Sequence, residues 1–574
     1  MKRFIPGWLF SHWILLAWAI FAGIVGWWSN RPIPLALSYN ELLPSVSFAP
    51  YRRGQSPLTR VYPSPAQVEA DLASLVGVTR GVRTYSSREG LDRVPVLARR
   101  YGLTVTQGAW LTIPRQLDGT PTANEAEIDA LIRVANANPD TVKRVIVGNE
   151  VLLRGELTPN QLIDYIRRVK AAVSQPVSYA DVWAFFLKYP EVVQELDVLT
   201  IHILPYWEDE PVSLEESARH LMAIYQRMAQ TFPGKPILIG EVGWPTQGRS
   251  RGAAVASLEN SARFLRTVAT LAREQGFDYN WVEAFDQPWK SAQEGTVGAK
   301  WGVVDESRHP KFALHGPVEV NPHWPLQLAM AVGLGLLGGW WAIRRSSSSR
   351  REIIWLGGLA QLLAGLVVCQ AGYVLAISHS SLGDAWAVLR ILFHGLLAWA
   401  LITPEGTSDP WKALGRVLLP VYSGAAVFAT VMLLIDGRYR DIPTLEFLVP
   451  ALGVVVYGLG SGLWQRRSLM ETLAAENLFQ GSQQKGEGGY NAHAGRLALA
   501  LVSAALLAPL SEAVALSRGQ DFLLIHPHWE ERWPLLLQAL TANQQMLNWS
   551  LMLLLLALPW LAQWQKNLRR LPRC

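Results

Sequence analysis

Hydrophobic positions follow two different patterns along this chain. Near the start and beyond about residue 325 they form long uninterrupted runs, whereas between those regions they come as short apolar bursts separated by polar stretches of helical spacing. The long runs lie at Trp8 to Trp28 and near residues 325–343, 353–377, 385–403, 414–435, 445–464, 497–515 and 548–564. Each approaches the roughly 20 residues that an α-helix needs to cross the hydrocarbon of a bilayer, so about eight transmembrane helices are expected. The first run follows Met1-Lys2-Arg3 and ends in WWSN instead of a small-residue cleavage site. That is the pattern of an uncleaved signal anchor, with a cleaved secretion signal as the alternative.

The central region predicts a different architecture. Eight runs rich in β-branched and aromatic residues recur there: SVSFAPY, GVRTY, LTVTQGAWL, VKRVIVGNE, PVSYADVW, DVLTIHILPYW, KPILIGEVGWP and YNWVEAF. Helical patterns separate them at Ala66–Leu75, Asp92–Tyr101, Glu125–Asn138, Pro159–Val173, Glu215–Phe232 and Leu258–Gln275. Strands alternating with helices imply parallel pairing. The expected fold class is therefore α/β, a (β/α)8 TIM barrel joined to an all-α multi-span transmembrane domain, with a doubly wound open sheet as the alternative for the soluble part. The predicted boundaries are residues 1–28 for the anchor, 29–324 for the barrel and 325–564 for about seven further helices, with a flexible cytosolic loop at 468–496 and a basic cytosolic tail at 565–574.

Charge refines this picture. The chain carries a formal net charge of +6, but residues 29–324 hold 31 Lys and Arg against 32 Asp and Glu, so the basic excess lies beside the apolar runs. This argues against nucleic acid as a partner. The segments MKR, RRSSSSRRE, Lys412 with Arg416, the stretch from Gln465 and QKNLRRLPRC alternate with the positive-poor loops SHSSLGD, DGRYRDIPT and SRGQDFLLIHPHWEERWP. The positive-inside rule then places both termini in the cytoplasm and the barrel across the membrane, in a periplasm or its equivalent, where no nucleotide sugar is supplied. The two cysteines, Cys369 and Cys574, both fall outside the barrel, which excludes a disulfide, thiol nucleophile or cysteine metal site there. The segment ENLFQGS at Glu476 to Ser482 matches a widely used engineered protease-cleavage sequence and is set aside from the functional argument.

Chemistry in a (β/α)8 barrel sits at the carboxyl ends of the strands. Strand four ends in Asn149-Glu150, strand seven in Glu241 followed by Val242-Gly243-Trp244-Pro245, and the eighth run in Glu283-Ala284-Phe285-Asp286. Two glutamates facing each other across a barrel mouth suit glycosidic-bond cleavage, in which one carboxyl protonates the leaving oxygen and the other attacks the anomeric carbon. No metal or cofactor is expected, and His202 reads as a hydrogen-bonding strand-end residue because no second histidine lies at ligand spacing.

The motifs VIVGNEVLLRG, ILIGEVGWPT and VEAFDQPWK resemble the acid, nucleophile and last-strand motifs of glycoside hydrolase family 17, the β-1,3-glucanases and glucanosyltransferases, over about residues 38 to 315. The resemblance implies Glu150 as general acid/base and Glu241 as nucleophile of a retaining mechanism, with Asn149 binding the sugar 2-hydroxyl. It further implies that Tyr206 orients the nucleophile or sugar, and that Glu283 and Lys290 support the charged network. Val242 and Gln287 depart from the usual family residues. The acid is expected to be held protonated by burial and its negative neighbour, while the nucleophile stays ionised. Sugar-binding candidates also include Tyr85 and the aromatics Trp110, Trp183, Phe185, Phe186, Trp207, Trp244 and Trp289.

The leading expectation is a membrane-anchored β-glucan transglycosylase in the bacterial inner membrane, making, elongating, branching or cyclising a periplasmic glucan. Multi-span bacterial relatives of the family are linked to β-1,3/β-1,6-glucan synthesis, and that resemblance favours transfer. Endo-hydrolysis of β-1,3-glucan is the close alternative, and a non-catalytic glucan-binding or export protein is the alternative of another class. A membrane glycosyltransferase is disfavoured, since the longest cytosolic loop has only about 30 residues. Within the spans, Arg390 and His394 share a helix face and Glu512 lies near a span end, each open to a structural or a functional reading.

Overall fold

The computed structural model describes residues 7–114, 122–346, 349–404, 410–465, 468–474, 478 and 493–570. They divide into two compact units, one of Ile33–Val318 with Ala515–Asn543 and the other of Met1–Pro32, Glu319–Val514 and Gln544–Cys574.

In the first unit every one of the eight apolar bursts forms a strand: β1 (Val46–Ser47), β2 (Gly81–Arg83), β3 (Thr104–Ala109), β4 (Val142–Asn149), β5 (Val177–Val182), β6 (Val198–His202), β7 (Ile237–Val242) and β8 (Asp278–Trp281). They pair in sequence order, all parallel, and Val46 of β1 aligns with both Val82 and Trp281, which closes the barrel. A barrel strand is covered on both faces, which is why β4 carries Val145, Ile146 and Val147 as an unbroken buried run. The intervening helices start where the sequence supplies caps. Ser64 and Thr158 each precede proline and accept from the amide three residues on, while Gln67 and Gln161 reach back to the cap amide. Thr122, Ser213 and Ser257 cap three more helices.

Some elements differ from expectation. The short helices Trp183–Lys188, Pro190–Glu195 and Ser291–Ala299 span too few residues to display an amphipathic period. The helix expected at Asp92–Tyr101 divides into a 3-10 turn, Leu91–Arg93, and a helix, Val94–Arg99, whose first turn holds Pro95. The largest departure is Ala515–Asn543. Sequence patterning assigns this stretch to the end of one span and the loop after it, yet it packs as part of the barrel unit.

The second unit is helical. Among the described residues, seven helices are long and apolar enough to cross a membrane: Leu9–Ser29, Trp324–Arg345, Arg350–Ala376, Ser381–Ile402, Pro410–Asp436, Thr444–Leu463 and Gln544–Arg569. The run expected to span residues 497–515 forms two helices, Ala494–Leu507 and Leu510–Ser517, bent by 45°, so the total is seven, or eight if the bent pair is one span. The break falls at Pro509, which has no amide to continue the helix. Arg390 pairs with Glu446 at 2.6 Å, and His394 bonds the Arg390 and Glu446 carbonyls and the Tyr422 hydroxyl, a local structural network. Most of the expected loop at 468–496, including Glu476 and Ser482, and the last residues of the expected tail lie outside the described residues.

Candidate active site

Four strand ends converge on one cluster. Glu150 follows β4, where Gly148 and Glu150 both take left-handed backbone angles, φ 88° and 52°, while the Glu150 amide still donates to the Ala180 carbonyl of β5. Gly148 supplies a conformation that a side chain resists, and the resulting twist turns the following glutamate inward. Glu241 lies in β7 opposite His202 of β6, beyond a register shift after Ile201. One donor atom each from Glu150, His202 and Glu241 lies within 4.8 Å of the others.

The two carboxylates have different surroundings. Glu241 Oε1 accepts from the Tyr85 hydroxyl at 2.8 Å and from Arg83 Nη1 at 3.4 Å. Burial, reinforced by Glu241, pushes the Tyr85 phenol far above its ordinary range, so it stays a donor. Glu150 Oε1 lies 2.7 Å from His202 Nδ1. Burial alone raises the Glu150 carboxyl, but the His202 hydrogen bond and charge, with Arg154 and Arg83, outweigh it and leave Glu150 below the usual glutamate value. The free protein thus surrounds Glu150 with groups that favour its charged form, where the sequence leads one to expect burial and a negative neighbour to hold it protonated.

The triad has donor types that suit a metal, but His202 Nδ1 is engaged by Glu150 and Glu241 by Tyr85 and Arg83, an arrangement for sharing protons.

Arg83 is the residue the sequence reading missed. Fully buried, it donates to the Gly240 carbonyl at 2.6 Å and to Asn149 Oδ1 at 2.5 Å, and so joins the strand ends that carry both glutamates. Its signal is the strand GVRTY, where a charge between Val82 and Thr84 alternates with Tyr85 on the same face. Asn149 lies beside the pair as expected, with its oxygen held by Arg83. Behind Glu150, Asp181 accepts from the Tyr179 hydroxyl and from Val182 N at 2.8 Å, and burial, then Glu150, push its carboxyl up to about 7. Glu283 accepts from Lys290 as the network reading expects, and burial pushes it up to about 7. Gln287 bridges the Ala49 carbonyl and Trp289 Nε1 at 2.7 and 2.9 Å.

Two other expected site residues are fully buried. Tyr206 is fully buried and its hydroxyl donates to the Arg249 carbonyl, and Trp244 is fully buried with Nε1 on the Val255 carbonyl at 2.9 Å. Both pack edge-to-face at 5.6 Å in the barrel wall, where indole and phenol serve as core. Phe185, Phe186 and Trp183 are also buried, while Trp207 and Trp289 keep partial exposure. Trp110 is 42% exposed, with Arg154 stacked 4.5 Å from its ring.

Residues 45–302 match the BtgE/BtgC glycoside hydrolase domain. The barrel belongs to this family. The glycoside hydrolase domain is 28% identical over 269 residues to a glucan 1,3-beta-glucosidase of Arthroderma benhamiae, covering 43% of this chain and 83% of that protein. It is also 28% identical to a putative glucan endo-1,3-beta-glucosidase of Aspergillus niger, covering 47% of this chain and 43% of that protein, so the chain spans under half of that relative's length. Among solved structures, a family 17 β-1,3-glucanosyltransferase from Rhizomucor miehei is 30% identical, with a TM-score of 0.41 over 48% of this chain and 97% of that one.

Proposed function

We propose that the glycoside hydrolase domain cuts a β-1,3-linked glucan by a retaining mechanism and transfers the cut piece to a second glucan, with the protein anchored in a bacterial inner membrane and the barrel facing the periplasm. The observation that carries the reading is the spacing of the two carboxylates, which have oxygens within 4.8 Å of each other. Retaining glycosidases hold their carboxyls about 5–5.5 Å apart, whereas inverting ones leave about 6.5–9.5 Å for a water.

The surroundings divide the roles. Glu241, which accepts from Tyr85 and Arg83, attacks the anomeric carbon. As the glycosidic C–O bond breaks, Glu150, whose Oε1 lies 2.7 Å from His202 Nδ1, passes its carboxyl proton to the departing oxygen. A covalent glucosyl–Glu241 ester remains. Glu150 then removes the proton of an incoming hydroxyl, whose oxygen displaces Glu241 and restores the original configuration. The choice of β-1,3-glucan as substrate is supported by the likeness to glucan 1,3-beta-glucosidases. A sugar acceptor needs an apolar platform, and the exposed Trp110, held by Glu127 through its backbone amide, supplies one. Hydrolysis is the second reading, favoured by the relatives' names, and differs only in that water is the acceptor.

The test is incubation of the full-length protein with a β-1,3-linked glucose oligomer of one length, following product masses and linkages. Products longer than the donor are expected, with their linkage reporting elongation or branching. Only shorter products establish hydrolysis. Glu241→Gln is expected to abolish both, by roughly 10³-fold or more; unchanged turnover in that variant overturns the assignment.

A further inference from the structure

The segment Ala515–Asn543 lies outside residues 45–302, the part of the chain that the glycoside hydrolase family covers, yet it is fastened to the barrel by specific bonds. Asp209, just beyond β6, accepts from the Asp521 and Phe522 amides at 2.8 and 3.1 Å and so caps the helix Gln520–Ile525. His526 Nε2 meets Glu210 at 2.6 Å, and Asn543 Nδ2 donates to the Ser250 carbonyl at 2.8 Å. Gly519 is required at the crossing, because a Cβ there would sit 2.3 Å from the Asp209 carboxyl.

This strap roofs the loops after β5 and β6 without filling the space beneath. A cavity of about 420 Å³ remains, lined by Trp183, Glu208, His220, Arg227, Phe522 and His526 among others. That volume falls in the range of small-molecule sites, roughly 300–1,000 Å³. Its chemistry is mixed. Trp183, Phe522 and Ile525 give apolar surface, while Glu208 bonds His220 at 2.8 Å through Oε2 and keeps Oε1 buried with no hydrogen-bond partner among the described residues. A buried carboxylate oxygen without a donor is costly, so the site favours a ligand that brings O–H or N–H groups. The lining carboxylates Glu208, Asp209, Glu210 and Asp521 outnumber Arg227, which lies over the Trp183 ring, while His220 and His526 are engaged by Glu208 and Glu210, so the wall disfavours an anion. Among the described residues the one group with donor atoms close enough for a cation is Glu150, His202 and Glu241. A sugar combines an apolar C–H face with hydroxyl donors and fits both surfaces.

We propose that the cavity under the strap is a second saccharide site, which holds a stretch of glucan on the rim of the same barrel. It rests on the β-glucan reading of the catalytic cleft. The test uses full-length Glu241→Gln protein in detergent and isothermal titration with a β-1,3-linked glucose trisaccharide. Two binding events are expected. Adding Glu208→Ala or Phe522→Ala weakens one of them at least tenfold and leaves the other unchanged. Glu208→Gln and Phe522→Leu, which keep the shape of the wall, are expected to weaken it less. Normal melting of each variant, and normal cleavage of a short oligomer when the substitution is made in the wild-type background, show that the barrel is intact. A single event that none of these substitutions alters overturns the second site while the cleft reading stands. No binding at all overturns the β-glucan reading and this site with it.

Discussion

At the scale of single residues, the division of labour between the two glutamates comes from who donates to each. Glu241 has a neutral phenol and a guanidinium, both of which stabilise its anion. Tyr85→Phe removes one donor without changing shape, and kcat is expected to fall roughly 10- to 100-fold, with KM nearly unchanged because the bond serves the reacting charge; steady-state kinetics on an oligosaccharide donor decide this. Asp181 allows a prediction about pH. Its carboxyl is moved from the ordinary 3.8 up to about 7 in the folded barrel, so the folded state binds this proton more tightly than the unfolded chain does. The associated stability is full below the ordinary value and is lost as pH rises through about 7. Glu283, also raised to about 7, acts in the same direction. Melting followed by tryptophan fluorescence should therefore show the barrel less stable at about pH 8 than at about pH 5, and Asp181→Asn should reduce that difference without abolishing it.

At the scale of elements, the site depends on how closely β6 and β7 approach. A Cβ on Gly240 would lie 2.3 Å from Thr200 Cγ2, and the Gly240 carbonyl is also the anchor of Arg83. Gly240→Ala forces the strands apart beside Glu241, with an expected cost of about 1–3 kcal/mol from overpacking. Activity should fall further than the lost stability explains, measured as kcat at a temperature where the variant is still fully folded. The eight strands are legible in the sequence because β-branched runs punctuated by helical periods have a strong local signature, and Glu150 and Glu241 are legible because strand ends are where such barrels carry chemistry. Arg83 is not, since its role depends on Asn149 and Gly240, which only barrel closure brings to it. Tyr206 and Trp244 are hard to place for a related reason: an aromatic beside a catalytic motif can face either wall of the barrel, and here both are fully buried. The strap is hidden most completely, because apolar residues such as Phe522 and Leu524 read as span or loop until the barrel is there to receive them.

At the scale of the whole molecule, the strap bears on a question that helix length leaves open. Between Val318 and Ala515 the chain has five helices of spanning length and the bent pair Ala494–Leu507 and Leu510–Ser517. Five crossings would leave Ala515–Asn543 on the opposite side of the bilayer from the barrel it packs against, whereas six return it to the same side. On the proposed topology the bent pair is therefore expected to cross, its Pro509 break notwithstanding, giving eight spans with the last helix carrying the tail back. The basic residues of that tail agree with a cytoplasmic location by the positive-inside bias. Native Cys574 marks the tail once Cys369 is replaced by serine, and Ser74→Cys on the barrel and Gln538→Cys on the strap mark the other side. With a membrane-impermeant maleimide on sealed vesicles, residues 74 and 538 are expected to label together from one face, and Cys574 only after the membrane is opened. Labelling of Cys574 from the barrel's face would mean that the bent pair turns back within the bilayer, and the strap could not then reach the barrel from the side on which its chain emerges.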